Sequence, residues 1–324
     1  MTSLGRAINR GLHVVGDRVV HLAARVGYAT PLAQPSRYGV ELHRDVPYGD
    51  GGKAHLADVY VPRRSPFGAR MPLVVYVHGG GFAMLSKDTH RVMAMQFAAR
   101  GYLVVNVNYR LGPRHAYPAP LLDVAQAVGF ACAEAGRWGG DPARLVLAGE
   151  SAGANLVTAL TIAACVDRPE PFARALRATG VRPRATLPIY GLLDLTAIER
   201  FWSDRPLPRH LRAQIVHACE AYVGRPSQLT SLTMPLASPL RVLEELSPVA
   251  ARELPPFFAA VGTADPLLDD TRRLGAALAR LGVRADVVVH PGEIHGYNAM
   301  LFRDAARDMW RRAFDFVRDV LPSS

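Results

Sequence analysis

In Gly149-Glu150-Ser151-Ala152-Gly153 a serine stands between two glycines, directly after the apolar run Leu145-Val146-Leu147-Ala148 and directly before a helical pattern over residues 152–166. A serine hydroxyl is a weak nucleophile at neutral pH. It reacts only when exposed, held beside a base and aimed at a site that stabilises an oxyanion. A sharp strand-to-helix turn supplies the exposure, and Gly149, Gly153 and the small Ala152 suit the crowded backbone on either side of it. Taken alone, the pattern also fits an ordinary tight turn. The other groups that acyl chemistry requires must be found elsewhere in the chain.

One such group is His78-Gly79-Gly80-Gly81-Phe82, which follows the apolar run Leu73-Val74-Val75-Tyr76-Val77. Consecutive glycines after a buried strand let N–H groups point into a cleft without side-chain obstruction. The N–H groups of Gly80 and Gly81, with that of Ala152, are therefore expected to form an oxyanion hole, supported by His78 and Gly79. No Lys-Ser/Thr follows, as a Walker loop requires, and the spacing is not that of a dinucleotide fingerprint. For the base, His295 lies in a turn after the run Ala285-Asp286-Val287-Val288-Val289 and before the last helix. Its rival His290 still belongs to the strand end. For the acid, Asp265 directly follows Phe257-Phe258-Ala259-Ala260-Val261 in Gly262-Thr263-Ala264-Asp265-Pro266, whereas Asp269 and Asp270 read as carboxylates of a helix N-terminus. The order Ser151, Asp265, His295 is the one a nucleophile on such a turn calls for.

These residues must be carried by a regular scaffold, and the hydrophobic pattern supplies one. Residues 38–61 read as two antiparallel strands around Tyr48-Gly49-Asp50-Gly51-Gly52. Apolar runs at 73–77, 103–107, 145–148, 185–190, 257–261 and 285–289 read as buried strands of a mostly parallel sheet. Helical patterns at 88–100, 120–136, 152–166, 270–281 and 303–320 alternate with them, which predicts a three-layer α/β fold with right-handed crossovers. Residues 195–250 break that rhythm with helical pieces and prolines. They read as a helical cap insertion, with residues 1–40 as an N-terminal cap segment and residues 41–194 and 251–324 as the catalytic domain. Leu4, Ile8, Leu12, Val15, Val19, Leu22 and Val26 fall at helical spacing, so the first segment is expected to pack an apolar face onto its own protein; a membrane-surface helix is the alternative. Phe201 and Trp202 of the insertion, with Phe82, Met84 and Leu85 beside the glycine loop, are candidates to line a substrate pocket. Each would be equally at home in a core.

Composition narrows the partners. With 38 Lys plus Arg against 28 Asp plus Glu the formal charge is +10, yet Lys53 and Lys87 are the only lysines and the arginines are spread through every segment. That is not a phosphate-tracking stripe, so a nucleic-acid partner is not expected. Cys132, Cys165 and Cys219 are odd in number, far apart and without metal-ligand spacing. They fit reduced, buried thiols and, with no apolar run like a signal peptide or membrane span, a cytoplasmic location. No metal or organic cofactor is implied, and a homodimer is compatible with the sequence.

Four stretches together resemble the hormone-sensitive lipase branch of the α/β-hydrolase superfamily, the family IV esterases. They are His78-Gly79-Gly80-Gly81-Phe82; Asn108-Tyr109-Arg110-Leu111 running on to Tyr117-Pro118-Ala119-Pro120 and Asp123; Gly139-Gly140-Asp141-Pro142-Ala143-Arg144 leading into Gly149-Glu150-Ser151-Ala152-Gly153; and Asp265-Pro266-Leu267 with His295-Gly296-Tyr297. The resemblance covers most of the chain from about residue 70 onward. It implies an α/β-hydrolase fold with a helical cap and a serine carboxylesterase acting on a small-molecule ester, with Ser151 as nucleophile, His295 as base and then acid, and Asp265 as its orienter. Glu150 and Ala154 depart from the family's usual Asp and Gly, Arg114 stands where an acidic residue is common, and His290 replaces a frequent tyrosine; these bear on substrate preference. Glu150 is also found in cholinesterase-type carboxylesterases, which are much longer chains. An apolar enclosed site favours small to medium lipophilic esters. The motif does not separate ester hydrolysis from acyl transfer or amide cleavage on the same triad, and a non-catalytic binding module of the same fold would be marked by a missing Ser or His.

Overall fold

The apolar runs condense into one eight-stranded sheet: β1 (Val40–Pro47), β2 (Leu56–Pro62), β3 (Met71–Val77), β4 (Leu103–Val107), β5 (Gly140–Glu150), β6 (Ala185–Ile189), β7 (Phe257–Gly262) and β8 (Ala285–His290), in the order β1-β2-β4-β3-β5-β6-β7-β8. The computed structural model describes residues 17–68, 70–203, 206–224 and 234–321. Strands β3 to β8 run parallel, while β2 is antiparallel to both β1 and β4. The hairpin expected over residues 38–61 is present. Its second strand also continues the sheet by pairing with β4, a long-range partner that local pattern does not reveal.

Every residue of β3, β4, β6 and β7 is buried, because helices cover both faces of the sheet. The helices in chain order are α1 (described over 17–29), α2 (Arg91–Ala98), α3 (Ala119–Glu134), α4 (Ala152–Cys165), α5 (Pro171–Ala178), α6 (Arg200–Ser203), α7 (Arg209–Val223), α8 (Pro239–Glu245), α9 (Pro248–Ala251), α10 (Leu268–Arg280) and α11 (Asp304–Val320). Strand alternation divides the core in two. Leu73, Val75 and Val77 face α3, α4 and α10, whereas Val74 and Tyr76 face α2 and α11. Helix α5 has no counterpart in the expected helices.

Between β6 and β7, the described residues form only helical pieces, α6 to α9 with a short 3₁₀ turn at Pro235–Ala237. They are tied to the sheet by α4: Asn155 donates from Nδ2 to Leu192 O at 2.8 Å and to Ala237 O at 3.0 Å. Helix α4 is buried on every residue, sandwiched between the sheet and this helical layer.

Helix α1 behaves differently from the expectation. Its polar side makes the contacts: Asp17 Oδ1 accepts from Leu85 N at 2.8 Å, His21 Nε2 lies 2.9 Å from Ser86 Oγ, and Tyr28 OH donates to Thr89 O at 3.2 Å. Val19, Leu22 and Val26 of the apolar stripe are instead 60%, 62% and 64% exposed. Hydrogen bonds to the 85–92 loop set the helix's rotation, so the stripe faces outward. Leu4, Ile8, Leu12 and Val15 lie outside the described residues. No described helix is long and apolar enough to cross a membrane.

The loop that α1 touches is anchored from below by a buried cation. Lys87 Nζ sits 2.7 Å from Asp58 Oδ1, which is fully buried on β2, and 2.7 Å from Asp45 Oδ1, while Asn106 Nδ2 on β4 donates to Lys87 O at 2.9 Å. Removing one member of a buried ion pair leaves the other charge uncompensated. Lys87→Met is expected to cost about 3–5 kcal/mol, measured by chemical denaturation, with Asp58→Asn on the same background recovering part of the loss.

Candidate active site

The turn after β5 places Ser151 at the N-cap of α4 with φ 55° and ψ −116°, a conformation that L side chains rarely adopt. Such strain persists only where the surroundings over-determine it. Here Ser151 N donates to Ile189 O on the neighbouring strand at 3.0 Å. The close approach of β3 completes the grip. A Cβ on Gly153 would overlap Val77 O and His78 O, so this position requires glycine. The result is a side chain projected from the carboxyl edge of the sheet, half-exposed, above a rigid base.

Ser151 Oγ lies 3.1 Å from His295 Nε2, and His295 Nδ1 lies 2.8 Å from Asp265 Oδ2. Asp265 is fully buried just past β7, and its other oxygen accepts Leu267 N at 2.8 Å. The carboxylate is thus fixed in place. It accepts from Nδ1–H of His295 and leaves Nε2 as the acceptor for the Ser151 hydroxyl. His295 sits 39% exposed on the turn before Gly296, with the Tyr190 ring edge-on at 4.6 Å. Tyr190 is held by its own hydroxyl, which donates to Asn298 Oδ1. Desolvation pulls the His295 pKa down, but the charge and hydrogen bond of Asp265, with a smaller push from Glu150, outweigh it and hold the pKa above the ordinary histidine value.

The rivals occupy other roles. His290 is buried between Asp308, 3.2 Å from Nε2, and the Tyr297 hydroxyl, 2.9 Å from Nδ1. Asp270 is fully buried, accepts Leu193 N at 2.7 Å and Asp194 N at 3.0 Å, and pairs with Arg200; burial pushes its pKa up to about 6. Asp269 is exposed, 3.8 Å from Arg200.

The glycine loop folds over the nucleophile. Gly80 has φ +108°, and a Cβ there would overlap Met84 O. That backbone is open only to glycine. Gly80 O accepts the N–H groups of Ala83 and Met84, closing the loop on itself. His78 stacks on Tyr109 at 4.4 Å, and Tyr109 OH donates to His78 O at 2.9 Å. Burial, with the nearby His90 charge, drives the His78 pKa down to about 3, so this histidine is a neutral strut. Among the candidates for a pocket, Phe82 is fully buried and stacks face to face on Tyr222 of α7 at 3.9 Å, and Phe201 is a core residue beneath the Arg200 guanidinium. The structure corrects their expected place: the Phe82 ring packs the loop onto the helical layer, and Phe201 is buried in the core. Met84, Leu85 and Trp202 stay half-buried.

One group that sequence reasoning registered only as a departure from family pattern organises the loop. Glu150 Oε1 accepts Gly79 N at 2.5 Å and lies 2.8 Å from His90 Nε2, while Oε2 accepts the Tyr76 hydroxyl. His90 Nδ1 faces Ser86 O at 3.1 Å, so both ring nitrogens meet acceptors, as an imidazolium requires. Burial opposes that charge, yet Glu150 outweighs it and raises the His90 pKa. A buried Glu150–His90 ion pair therefore underlies the glycine loop. The available signal was an unusual Glu beside the serine, but its partners are 60 to 74 residues away in the chain.

Comparison with known proteins matches this arrangement to a family. The alpha/beta hydrolase fold family matches residues 74–299. Esterase LipI of Mycobacterium tuberculosis (strain ATCC 25618 / H37Rv) is 31% identical over 90% of this chain and 82% of its own length. Esterase LipQ of the same organism is 29% identical over 76% of this chain, which spans only 54% of LipQ. Among solved structures, esterase LipW from Mycobacterium marinum superposes with a TM-score of 0.76 at 26% identity, covering 96% of this chain and 90% of that one.

Neutralising Glu150 weakens its hydrogen bond from Gly79 N–H and strips His90 of its counter-charge. Glu150→Gln is expected to lower kcat/KM by about 10- to 100-fold, the scale of a misplaced catalytic group. The acid limb of its pH profile is expected to move to lower pH, because a negative charge that favours the His295 imidazolium is gone. Ester turnover across pH measures both effects.

Proposed function

We propose that this chain, which belongs to the hormone-sensitive lipase-like esterases of the α/β-hydrolase superfamily and is a carboxylesterase, cleaves small to medium lipophilic esters through a covalent acyl-enzyme on Ser151. The observation that carries the reading is the unbroken hydrogen-bonded chain Ser151–His295–Asp265 at the carboxyl edge of the sheet.

As the ester carbonyl meets Ser151 Oγ, His295 Nε2 takes the hydroxyl proton, and Asp265 stabilises the imidazolium that forms. The carbonyl oxygen becomes an oxyanion, received by the N–H groups of Gly80, Gly81 and Ala152. A donor of this kind is worth about a hundred- to a thousandfold in rate. The imidazolium then protonates the leaving alcohol. Water enters, gives its proton to His295 and repeats the attack on the acyl-enzyme, and collapse returns the Ser151 hydroxyl and a carboxylic acid. The cycle uses only these side chains, backbone amides and water.

The substrate class is supported by the surroundings. Half-buried Met84 and Leu85 offer apolar contact at the loop and Trp202 on α6, and α7 packs against the loop through Tyr222 on Phe82 and Ala218 beside Gly81. Residues 195–250, with the segment 1–40, act in this reading as a cap over the catalytic unit 41–194 and 251–324. An apolar roof favours acyl groups small enough to be enclosed over long chains at an oil interface.

Four measurements test the proposal. Ser151→Ala is expected to abolish turnover of p-nitrophenyl butyrate with an unchanged melting temperature; retained turnover would exclude Ser151 as the nucleophile. Because the raised His295 pKa keeps the ring protonated at low pH, kcat/KM is expected to climb through an apparent pKa above the ordinary histidine value and then level off. Asp265→Asn is expected to lower kcat by about 10⁴-fold. Across p-nitrophenyl esters of graded acyl length, kcat/KM is expected to peak at short to medium chains; a maximum at the longest chains would contradict the enclosed apolar site.

A further inference from the structure

A second concave site lies at the opposite edge of the sheet. Phe67 precedes β3 and Tyr102 precedes β4, so both stand at the amino ends of strands whose carboxyl ends carry the glycine loop and lead toward Ser151. Together with the outer side of α11 they form a cleft of about 410 Å³. Its floor is aromatic: Phe67 and Tyr102 meet at 4.7 Å between ring centroids, and Tyr102 and Phe314 at 6.2 Å. Its rim is cationic, with Arg100, Arg307, Arg311 and Arg318 against the single carboxylate Asp315.

Two features make this more than an arginine-rich surface. Arg307, Arg311 and Arg318 each pair with an aspartate on their own helix, but among the described residues no carboxylate pairs with Arg100. Its guanidinium lies 4.2 Å from the Phe314 ring centroid and donates from Nη1 to Gln96 O at 2.8 Å. The second feature is Tyr102. It lines the cleft while only 1% exposed, and its hydroxyl has no hydrogen-bond partner. A buried donor left unpaired is costly and rare, and a ligand oxygen would relieve it.

The geometry points to a binding site for a small aromatic phosphate monoester, separate from the esterase centre. The phosphate oxygens would take the Arg100 fork and the Tyr102 O–H, with the rim arginines offering N–H donors beyond those their aspartates occupy, and a planar body would lie against the Phe67 and Phe314 side of the cleft. A phosphate group suits the site because Arg100 has no carboxylate partner among the described residues, and the guanidinium forks of Arg307, Arg311 and Arg318 each have more donors than their helix aspartates occupy. The contributing residues come from three distant segments, with three of the four arginines on α11.

Calorimetric titration of the whole protein with phenyl phosphate, inorganic phosphate and benzyl alcohol tests the inference. Phenyl phosphate is expected to bind saturably at one site, inorganic phosphate several-fold more weakly, and benzyl alcohol not at all. Arg100→Gln is expected to weaken phenyl phosphate about tenfold or more, the loss of a charge-assisted pair. Tyr102→Phe is the sharper variant: about a threefold loss or more in affinity with no fall in the unliganded melting temperature, since the hydroxyl has no internal partner to lose. Both variants are expected to keep wild-type ester turnover. Absence of saturable binding, equal affinity for inorganic phosphate, or wild-type phenyl phosphate affinity in both variants would overturn the assignment; the last would place the ligand elsewhere on the protein.

Discussion

The reactive geometry depends on one backbone contact, the approach of the end of β3 to the β5–α4 turn. Val77 O sits where a Cβ of Gly149 or Gly153 would be, and Gly79 packs against Glu150 and Ser151 in the same way. Two segments more than 70 residues apart are thereby pressed together without side chains between them. One of them carries the nucleophile and the other the oxyanion loop. Their spacing is set by atoms that have no rotamers, so it is insensitive to the side-chain motion around it.

Electrostatics is then layered on that contact. Asp265 is wholly buried and Glu150 nearly so, each with a histidine beside it, but they do different things. Asp265 orients an imidazole that must gain and lose a proton. Glu150 favours the charged form of His90 and uses its remaining lone pairs to hold Gly79 N–H and Tyr76 OH. The division follows from exposure: His295 reaches solvent and substrate, whereas His90 is enclosed.

Much of the scaffold was legible because its signals are local. Ser151, Asp265 and His295 each follow an apolar run by a few residues, and parallel sheets collect such positions along one edge. The glycine loop was legible for the same reason. What escaped depends on contacts that no window of sequence contains. Glu150 was visible as an oddity, but Tyr76, Gly79 and His90 could not be assigned to it. The pairing of β2 with β4 was hidden behind a hairpin that already accounted for β2. Phe82 and Phe201 read as pocket residues because aromatics beside a site serve either lining or packing, and only tertiary packing, for Phe82 that of α7, decides between them. The rotation of α1 escapes for a related reason: apolar periodicity points one way, whereas hydrogen bonds at Asp17, His21 and Tyr28 determine which side turns inward.

The full enclosure of α4 has a dynamic consequence. A helix with solvent on one face can fray or open alone, and its amides exchange by small local fluctuations. Helix α4 has no such face, so exposing its backbone requires the sheet on one side or the helical layer on the other to separate first. The segment whose first turn carries Ser151 therefore belongs to the slowest-exchanging part of the molecule. Heat should displace the serine only once the helical layer or the sheet has come away from α4.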